Sequence, residues 1–403
     1  MKIICVGGGP AGLYFSILMK RADPGHAVTV LERKPASGPD GWGVVFWDDL
    51  VAELVATDPE TARRITEAAF EWHGQTLELR GVDARIEGSG YSIVRSKLLE
   101  ILAARATELG VEIQFDHEVT SRTGLEDADV VVAADGANSN LRQLSSNAFG
   151  TSIAVGHNKY LWMGTAKVFD AFTFPIVNTR AGWIWSHAYA IDDHTSTFIV
   201  ECRPETWAGL GFETLTARDG TGALEDLFRS YLDGEHLVSL SPADAVLPWL
   251  NFRTVTNECW HSGNTVLMGD AAHTTHFSIG SGTRLALQDA MALAAELQAN
   301  PTPQLAFAAY ETKRRAELAR IQTDAQFSAR WFENIDRYID LPAQAFLHLL
   351  AARRDPFVHR VPPKLYYRLY SAVDKVSFLR SFRGWIMPKA RALYRRERNS
   401  PPQ

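Results

Sequence analysis

Near the start of the chain, Gly7-Gly8-Gly9-Pro10-Ala11-Gly12 forms a glycine-rich turn, and Glu32 follows twenty residues after its last glycine. Glycines at 7, 9 and 12 allow a tight turn, bring backbone N–H groups close to a pyrophosphate, and let a helix pack on the strand before it. The N-terminus of that helix adds partial positive charge for phosphates. Glu32, with Arg33 beside it, stands where a carboxylate can accept from both hydroxyls of a ribose. Two later segments again pair glycine with an acid: Asp135-Gly136-Ala137-Asn138 and Gly269-Asp270-Ala271-Ala272-His273. The second of these runs on into Gly280-Ser281-Gly282-Thr283. The first segment alone calls for a bound dinucleotide and does not separate a nicotinamide from a flavin.

The elements around these turns support that reading. Lys2–Val6 is an apolar strand, residues 13–21 have helical spacing, and Ala27–Leu31 is the next strand, which makes a βαβ opening. Asp58-Pro59-Glu60 starts a helix with Asp58 as cap. Val94-Arg95 precedes an amphipathic helix through Leu98, Leu99, Ile101 and Leu102, and residues 111–115 and 130–134 are strands. Residues 159–168, 181–189 and 195–201 then alternate and are rich in Trp, Tyr, Phe and Thr, which predicts an antiparallel sheet. A strand at 265–268 and a helix at 285–298 return to the dinucleotide style, and helical patterning continues from Pro303. The expected fold is α/β with an α+β insert. A Rossmann-like domain is built from residues 1–150 and 256–330, a mixed antiparallel substrate sheet occupies 151–255, and a helical C-terminus spans 331–403.

Over most of its length the chain resembles the group A flavoprotein aromatic hydroxylases of the para-hydroxybenzoate hydroxylase type. Asp135-Gly136 with Ser139 and Arg142 matches that family's second fingerprint, and Gly269-Asp270 matches its third. The resemblance implies FAD, held tightly but non-covalently, with Asp135 and Gly136 at the pyrophosphate and Asp270 on the ribityl hydroxyls. It implies Arg95 beside the flavin phosphates, Gly280, Gly282 and Thr283 against the isoalloxazine ring, and Trp42, Gly43 and Val44 on a flavin-side loop. Residues 41–46 and 276–283, together with Asn158-Lys159-Tyr160, Phe198 to Cys202 and Trp331-Phe332-Glu333, resemble one subgroup. It contains salicylyl-CoA 5-hydroxylases, anthraniloyl-CoA monooxygenase domains and the tryptophan hydroxylase of violacein synthesis. The implied chemistry is reduction of FAD by transiently bound NAD(P)H, addition of O2, and transfer of one OH from a flavin hydroperoxide to an electron-rich ring.

A base that draws a proton from a phenol or aniline would raise ring nucleophilicity. His276 is the first candidate, because it adjoins the flavin-contacting segment, followed by His187, Tyr160 and Tyr189. Trp185, Tyr189 and Phe277 are the expected substrate contacts. His187, Tyr189, Trp183 and Trp185 share one face of their strand, as a plain core stripe or as a pocket lining. The leading substrate is salicylyl-CoA or a related aromatic thioester, and the alternative is a free aromatic such as tryptophan or a pathway intermediate. A flavin-dependent halogenase is a further class. Trp183-Ile184-Trp185 is similar to its signature, but Ser186-His187 follows where a proline is needed, and no lysine lies between Lys34 and Lys97. A non-catalytic flavin-binding module is the last.

Composition narrows the partners. At 403 residues, 46% hydrophobic and 22% charged, the chain is ordinary for a globular protein, and a net charge of -6 gives no reason to expect nucleic acid. From Ala351 onward, thirteen Lys and Arg face three Asp and Glu. That tail is a solvated surface, a site of attraction for an anionic carrier such as coenzyme A, or a contact for acidic lipids. Arg353-Arg354 and Arg395-Arg396 are the residues to test. Cys5, Cys202 and Cys259 are isolated, without disulfide or metal-ligand spacing, so no metal is expected. No apolar stretch reaches the roughly 20 residues of a membrane span, and the first apolar run is too short for a secretory signal. The expectation is a cytoplasmic monomer or homodimer.

Overall fold

The apolar run Val130–Ala133 has no polar position to leave a face wet, and all four residues are buried in the middle of a parallel sheet. The computed structural model describes residues 1–368 other than 37, 39 and 40. In it the sheet order is His261–Ser262, Thr265–Leu267, Val130–Ala133, Lys2–Val6, Ala27–Leu31, Glu112–Gln114. Only the edge strand His261–Ser262 is antiparallel. The three glycine segments and Glu32 all leave from the C-terminal ends of these strands, where open α/β sheets form their ligand crevice. Helix Pro10–Ala22 packs between Arg95–Glu108 and Gly282–Ala299 beneath that edge.

A second, mixed sheet stands alongside in the order Leu237–Val238, Ser152–Thr165, Ser196–Cys202, Gly182–Ala190, Phe172–Thr179, Phe70–Leu79, Val82–Val94, Gly43–Phe46. Leu250–Thr256 pairs with Ser152–Thr165. Phe70–Leu79 runs parallel to Phe172–Thr179, and the other neighbours are antiparallel. Gly43–Phe46, Phe70–Leu79 and Val82–Val94 precede residue 151, so the sheet is wider than the 151–255 segment expected to form it. The unforeseen hairpin turns on Arg80 and Gly81, with φ of 57° and 73°. Two positive φ angles mark the primed turn that suits right-twisted strands. An arginine at its first position hides a signal that Asn-Gly would have shown.

Helices Pro303–Glu333, Ala343–Ala351 and Pro356–Arg360 continue the chain, and Trp331, Phe346 and Leu350 bury themselves on Leu77, Leu79 and Trp185 of the second sheet. Arg395-Arg396 and the rest of the basic tail from residue 369 lie outside the described residues. Among the described residues no helix is long and apolar enough to cross a membrane. Asp58 does precede helix Pro59–Ala68, but its side chain makes no backbone cap. Instead its carboxylate takes the Thr61 hydroxyl at 2.6 Å and the Arg21 guanidinium at 2.6 Å.

The third glycine segment is held by a buried carboxylate. Asp289, 0% exposed on helix Gly282–Ala299, accepts from Gly269 N at 3.0 Å, His273 Nε2 at 2.8 Å and Arg314 Nε at 2.6 Å. Burial alone would push this carboxyl up, but His273 and Arg314 outweigh it and hold the group below the usual carboxylate range. Asp289→Ala is expected to cost about 3–5 kcal/mol in urea unfolding, because it strips the Arg314 guanidinium of its buried carboxylate and leaves only the outer Glu317. A depressed folded pKa makes the contribution present at neutral pH and lost as pH falls below about 4. The gap between wild type and variant should therefore narrow in acid.

Candidate active site

Steric demand explains the first glycine turn. A side-chain carbon on Gly7, whose φ is +108°, would collide with the Ala134 carbonyl, and one on Gly12 would collide with the Gly7 carbonyl. Gly9 has nothing within 4 Å of that position, so its face is clear for a ligand. Pro10 opens helix Pro10–Ala22, and Ala11 packs close to Gly269 of the third segment. Glu32 already accepts from Gly8 N at 2.6 Å and Lys34 N at 2.8 Å. A carboxylate has about four acceptor positions, so two remain for a ribose diol.

A cavity of about 770 Å³ opens over this turn and is lined by Gly7, Gly9, Glu32, Arg33, Arg95, Asp135 and Gly136. Arg142 joins the second and third segments, donating from Nη1 to Ala271 O at 2.9 Å and from Nη2 to Ala137 O at 2.6 Å. Asp135 Oδ1 is buried with no partner among the described residues, and burial raises this carboxyl. Asp270 is reachable by solvent yet crowded by protein, which raises its pKa against the opposing pull of His273 and Arg95. An open backbone face, an acid with spare acceptors and an orphaned carboxylate oxygen fit a dinucleotide with its phosphates and polyol chain.

The expected flavin-side loop ties one edge of the mixed sheet, Gly43–Phe46, to the strands farther across it. The Trp42 ring packs on Gly164, where any side chain would strike it. Gly43 N donates to Thr197 Oγ1 at 2.8 Å, Gly43 O accepts from the Tyr189 hydroxyl at 2.9 Å, and Val44 is half-buried against the core. Gly280, with φ +62°, is crowded by Val45 and Trp47, whereas Gly282 opens its helix with free space around it and Thr283 follows half-buried.

A second cavity, of about 420 Å³, lies between the mixed sheet and the turn Phe277–Ile279. His187, Tyr189 and Phe277 line it with Trp72, Phe172 and Phe174. Trp185 does not; it lies behind, stacked on Phe332 at 5.9 Å with its N–H on Glu201 at 3.1 Å. Phe277 touches all three expected catalytic residues: Tyr160 at 4.9 Å, His187 at 5.6 Å and His276 at 4.4 Å between ring centroids.

The two histidines stand in different cavities. His276 lines a separate cavity of about 210 Å³, and its Nδ1 accepts from Ser278 N at 3.3 Å. Burial pushes its pKa down to about 4 against the opposing pull of Glu201, so the ring is neutral at pH 7 and a weak base. His187 lines the aromatic cavity and is only 3% exposed, with Nε2 3.1 Å from Glu201 Oε2. Glu201, 1% exposed, also accepts from Asn158 Nδ2 at 2.7 Å. Burial works to raise its carboxyl, yet hydrogen bonding and charge from His187, with His276 and Asn158, hold it low. Facing a carboxylate, Nε2 carries the hydrogen, and Nδ1 is the lone-pair nitrogen. Tyr189 is a wall: its hydroxyl is spent on Gly43 and pushed up by burial. Tyr160 is likewise raised, by burial first and Asp270 second.

Glu201 was legible only as part of a matching segment; its signal is an acid at an inward position of an apolar, alternating strand. Arg284, Arg353 and Arg354 also line the aromatic cavity, so the first basic pair of the tail faces a pocket and not a solvated surface. Cys259, His261 and Glu311 come together although no ligand spacing marks them. The Glu311 carboxylate there is taken up by Trp260 N, His261 and Arg315 at 2.7–2.9 Å.

Known proteins match the chain along most of its length. A family model described as an FAD binding domain matches residues 1–325. The salicyloyl-CoA 5-hydroxylase of a Streptomyces species is 39% identical over 363 residues, covering 87% of this chain and 69% of that protein. The 3-hydroxy-4-methyl-anthranilyl-[aryl-carrier protein] 5-monooxygenase of Streptosporangium sibiricum is 33% identical over 357 residues, covering 88% and 94%. In fold, the chain is similar to tetrameric 2-methyl-3-hydroxypyridine-5-carboxylic acid oxygenase, with a TM-score of 0.64 at 16% identity over 89% of this chain and 97% of that one.

Gly12→Ala tests the turn. A methyl group against the Gly7 carbonyl should weaken FAD binding by about ten-fold or more, read as flavin absorbance per chain and by FAD titration of the stripped protein.

Proposed function

The chain belongs to the FAD-dependent aromatic monooxygenases, and we propose that it hydroxylates an aromatic acid carried as a thioester, salicylyl-CoA or a close relative. Bound FAD, with NAD(P)H and O2, supplies the hydroxyl group that the ring receives. Gly7, Gly9 and Arg95 would hold its phosphates, with Gly12 letting the helix pack close behind them, Glu32 would hold its ribose, and Asp270 its ribityl chain.

The 420 Å³ aromatic cavity with a single oriented histidine carries the reading. Its walls exclude water and grip the ring by stacking, so the reacting carbon is positioned before chemistry begins. His187 Nδ1 takes the proton of the substrate's phenol or amine, and electron density moves into the ring. Glu201 fixes the tautomer and stabilises the imidazolium that forms. Two relatives named for acids carried on coenzyme A or on a carrier protein support the thioester.

Substrate-stimulated NAD(P)H oxidation, followed with oxygen consumption, tests both parts. Salicylyl-CoA is expected to stimulate strongly, and salicylate and tryptophan weakly. Equal activity with free salicylate removes the thioester, and no stimulation by any aromatic removes hydroxylation. His187→Gln should lower turnover by about 10²–10⁴-fold at neutral pH. Its activity should recover as pH rises and the substrate hydroxyl ionises unaided.

A further inference from the structure

One end of the aromatic cavity is cationic. Arg284, Arg353 and Arg354 line it, and Asp49 is the carboxylate that lines it with them. Arg284 is paired with Asp49 at 2.6 Å. Arg353 is 8% exposed and has no carboxylate within ion-pair distance among the described residues. It donates to Ser328 Oγ at 2.9 Å, Leu350 O at 2.7 Å and Ser278 O at 2.7 Å. Arg354 reaches Ile279 O at only 3.4 Å, with Asp324 acting on it electrostatically. A guanidinium taken out of water without a counter-ion is costly, and neutral oxygens compensate only in part. That strain shows in Arg353, whose pKa burial lowers to about 9, with Arg354 adding to the effect. Three cations that converge on an apolar pocket with incomplete compensation are arranged for a ligand that brings negative charge.

We propose that this end is an anion subsite in which Arg354 and Arg284 bind phosphate oxygens of the substrate's carrier while the rings hold its aryl group. Arg353 is a positioning residue, tying the turn Phe277–Ile279 to the end of helix Ala343–Ala351. The proposal rests on the thioester reading above. A free acid offers the same anionic oxygen chemistry through its carboxylate, and a planar guanidinium accepts either.

Binding, read as perturbation of flavin absorbance in the FAD-loaded enzyme, separates the cases without turnover. Wild type and Arg354→Met are titrated with salicylyl-CoA, salicylate and uncharged phenol, and inorganic pyrophosphate is added as competitor. The expected result is a Kd for salicylyl-CoA raised about ten-fold or more in Arg354→Met, with salicylate and phenol nearly unchanged. Pyrophosphate should compete with salicylyl-CoA on wild type and lose that effect in the variant. On wild type alone, added salt should weaken salicylyl-CoA and spare phenol. An unchanged Kd for salicylyl-CoA, or no competition and no salt effect on wild type, overturns the subsite. Equal weakening of salicylate overturns the phosphate assignment in favour of a carboxylate, and equal weakening of phenol reveals a damaged cavity and overturns the proposal. Tight binding of salicylyl-CoA without hydroxylation would remove the functional reading while leaving the subsite standing.

Discussion

The Asp289 carboxylate is the interaction around which the cofactor cleft is assembled. It lies in the protein interior, where an unpaired charge is intolerable, and it collects a backbone N–H, an imidazole and a guanidinium. Those three donors come from the third glycine segment and from helix Pro303–Glu333, while the acceptor belongs to helix Gly282–Ala299. One side chain therefore sets where Gly269-Asp270 stands relative to the first turn, and Ala11 confirms the distance by packing on Gly269. Arg142 extends the same logic to the second segment through two carbonyls.

The chemistry is divided by Phe277. Its ring is bordered by His187 on the aromatic cavity and by His276 on a smaller one, with Tyr160 also in contact. Two histidines one ring apart thus meet different hydrogen-bond partners. His187 has a carboxylate to hold its proton, whereas His276 is spent on the local turn and kept neutral by burial. Neighbouring positions in space are offered different hydrogen-bond roles because the partner, and not the residue type, decides them.

The parallel sheet, its glycine turns and the acid at Glu32 were legible because each is specified within a few residues of itself. Burial of Val130–Ala133 and the steric need for Gly7 and Gly12 follow from local pattern alone. What escaped notice depends on distant partners. The hairpin of Phe70–Leu79 and Val82–Val94 turns on Arg80, and a bulge between His73 and Gln75 cuts its alternation into the short pieces Phe70 to His73 and Leu77 to Leu79, so neither pattern nor turn chemistry announces it plainly. Glu201 matters because strand register places it opposite Trp185, with His187 two residues farther along the same face. Arg353 and Arg354 read as surface basics until the helix before them folds over the mixed sheet. Trp42 and Gly43 look like a mobile loop in one dimension and are a fixed joint in three.

The parallel sheet also has a consequence for how the protein is made. Its central pairings join Lys2–Val6 to Val130–Ala133 and Val130–Ala133 to Thr265–Leu267, and Arg314 of a later helix closes the Asp289 network. During synthesis the first strand therefore finds Ala27–Leu31 early but waits for Val130–Ala133, so one of its edges stays unpaired for the time needed to translate about 125 residues. At about 5–20 residues per second that interval is roughly 6–25 seconds, long compared with local helix and hairpin formation. An unpaired edge of this kind is open to wrong partners until the sheet closes, so expression yield should answer to translation speed as well as to final stability.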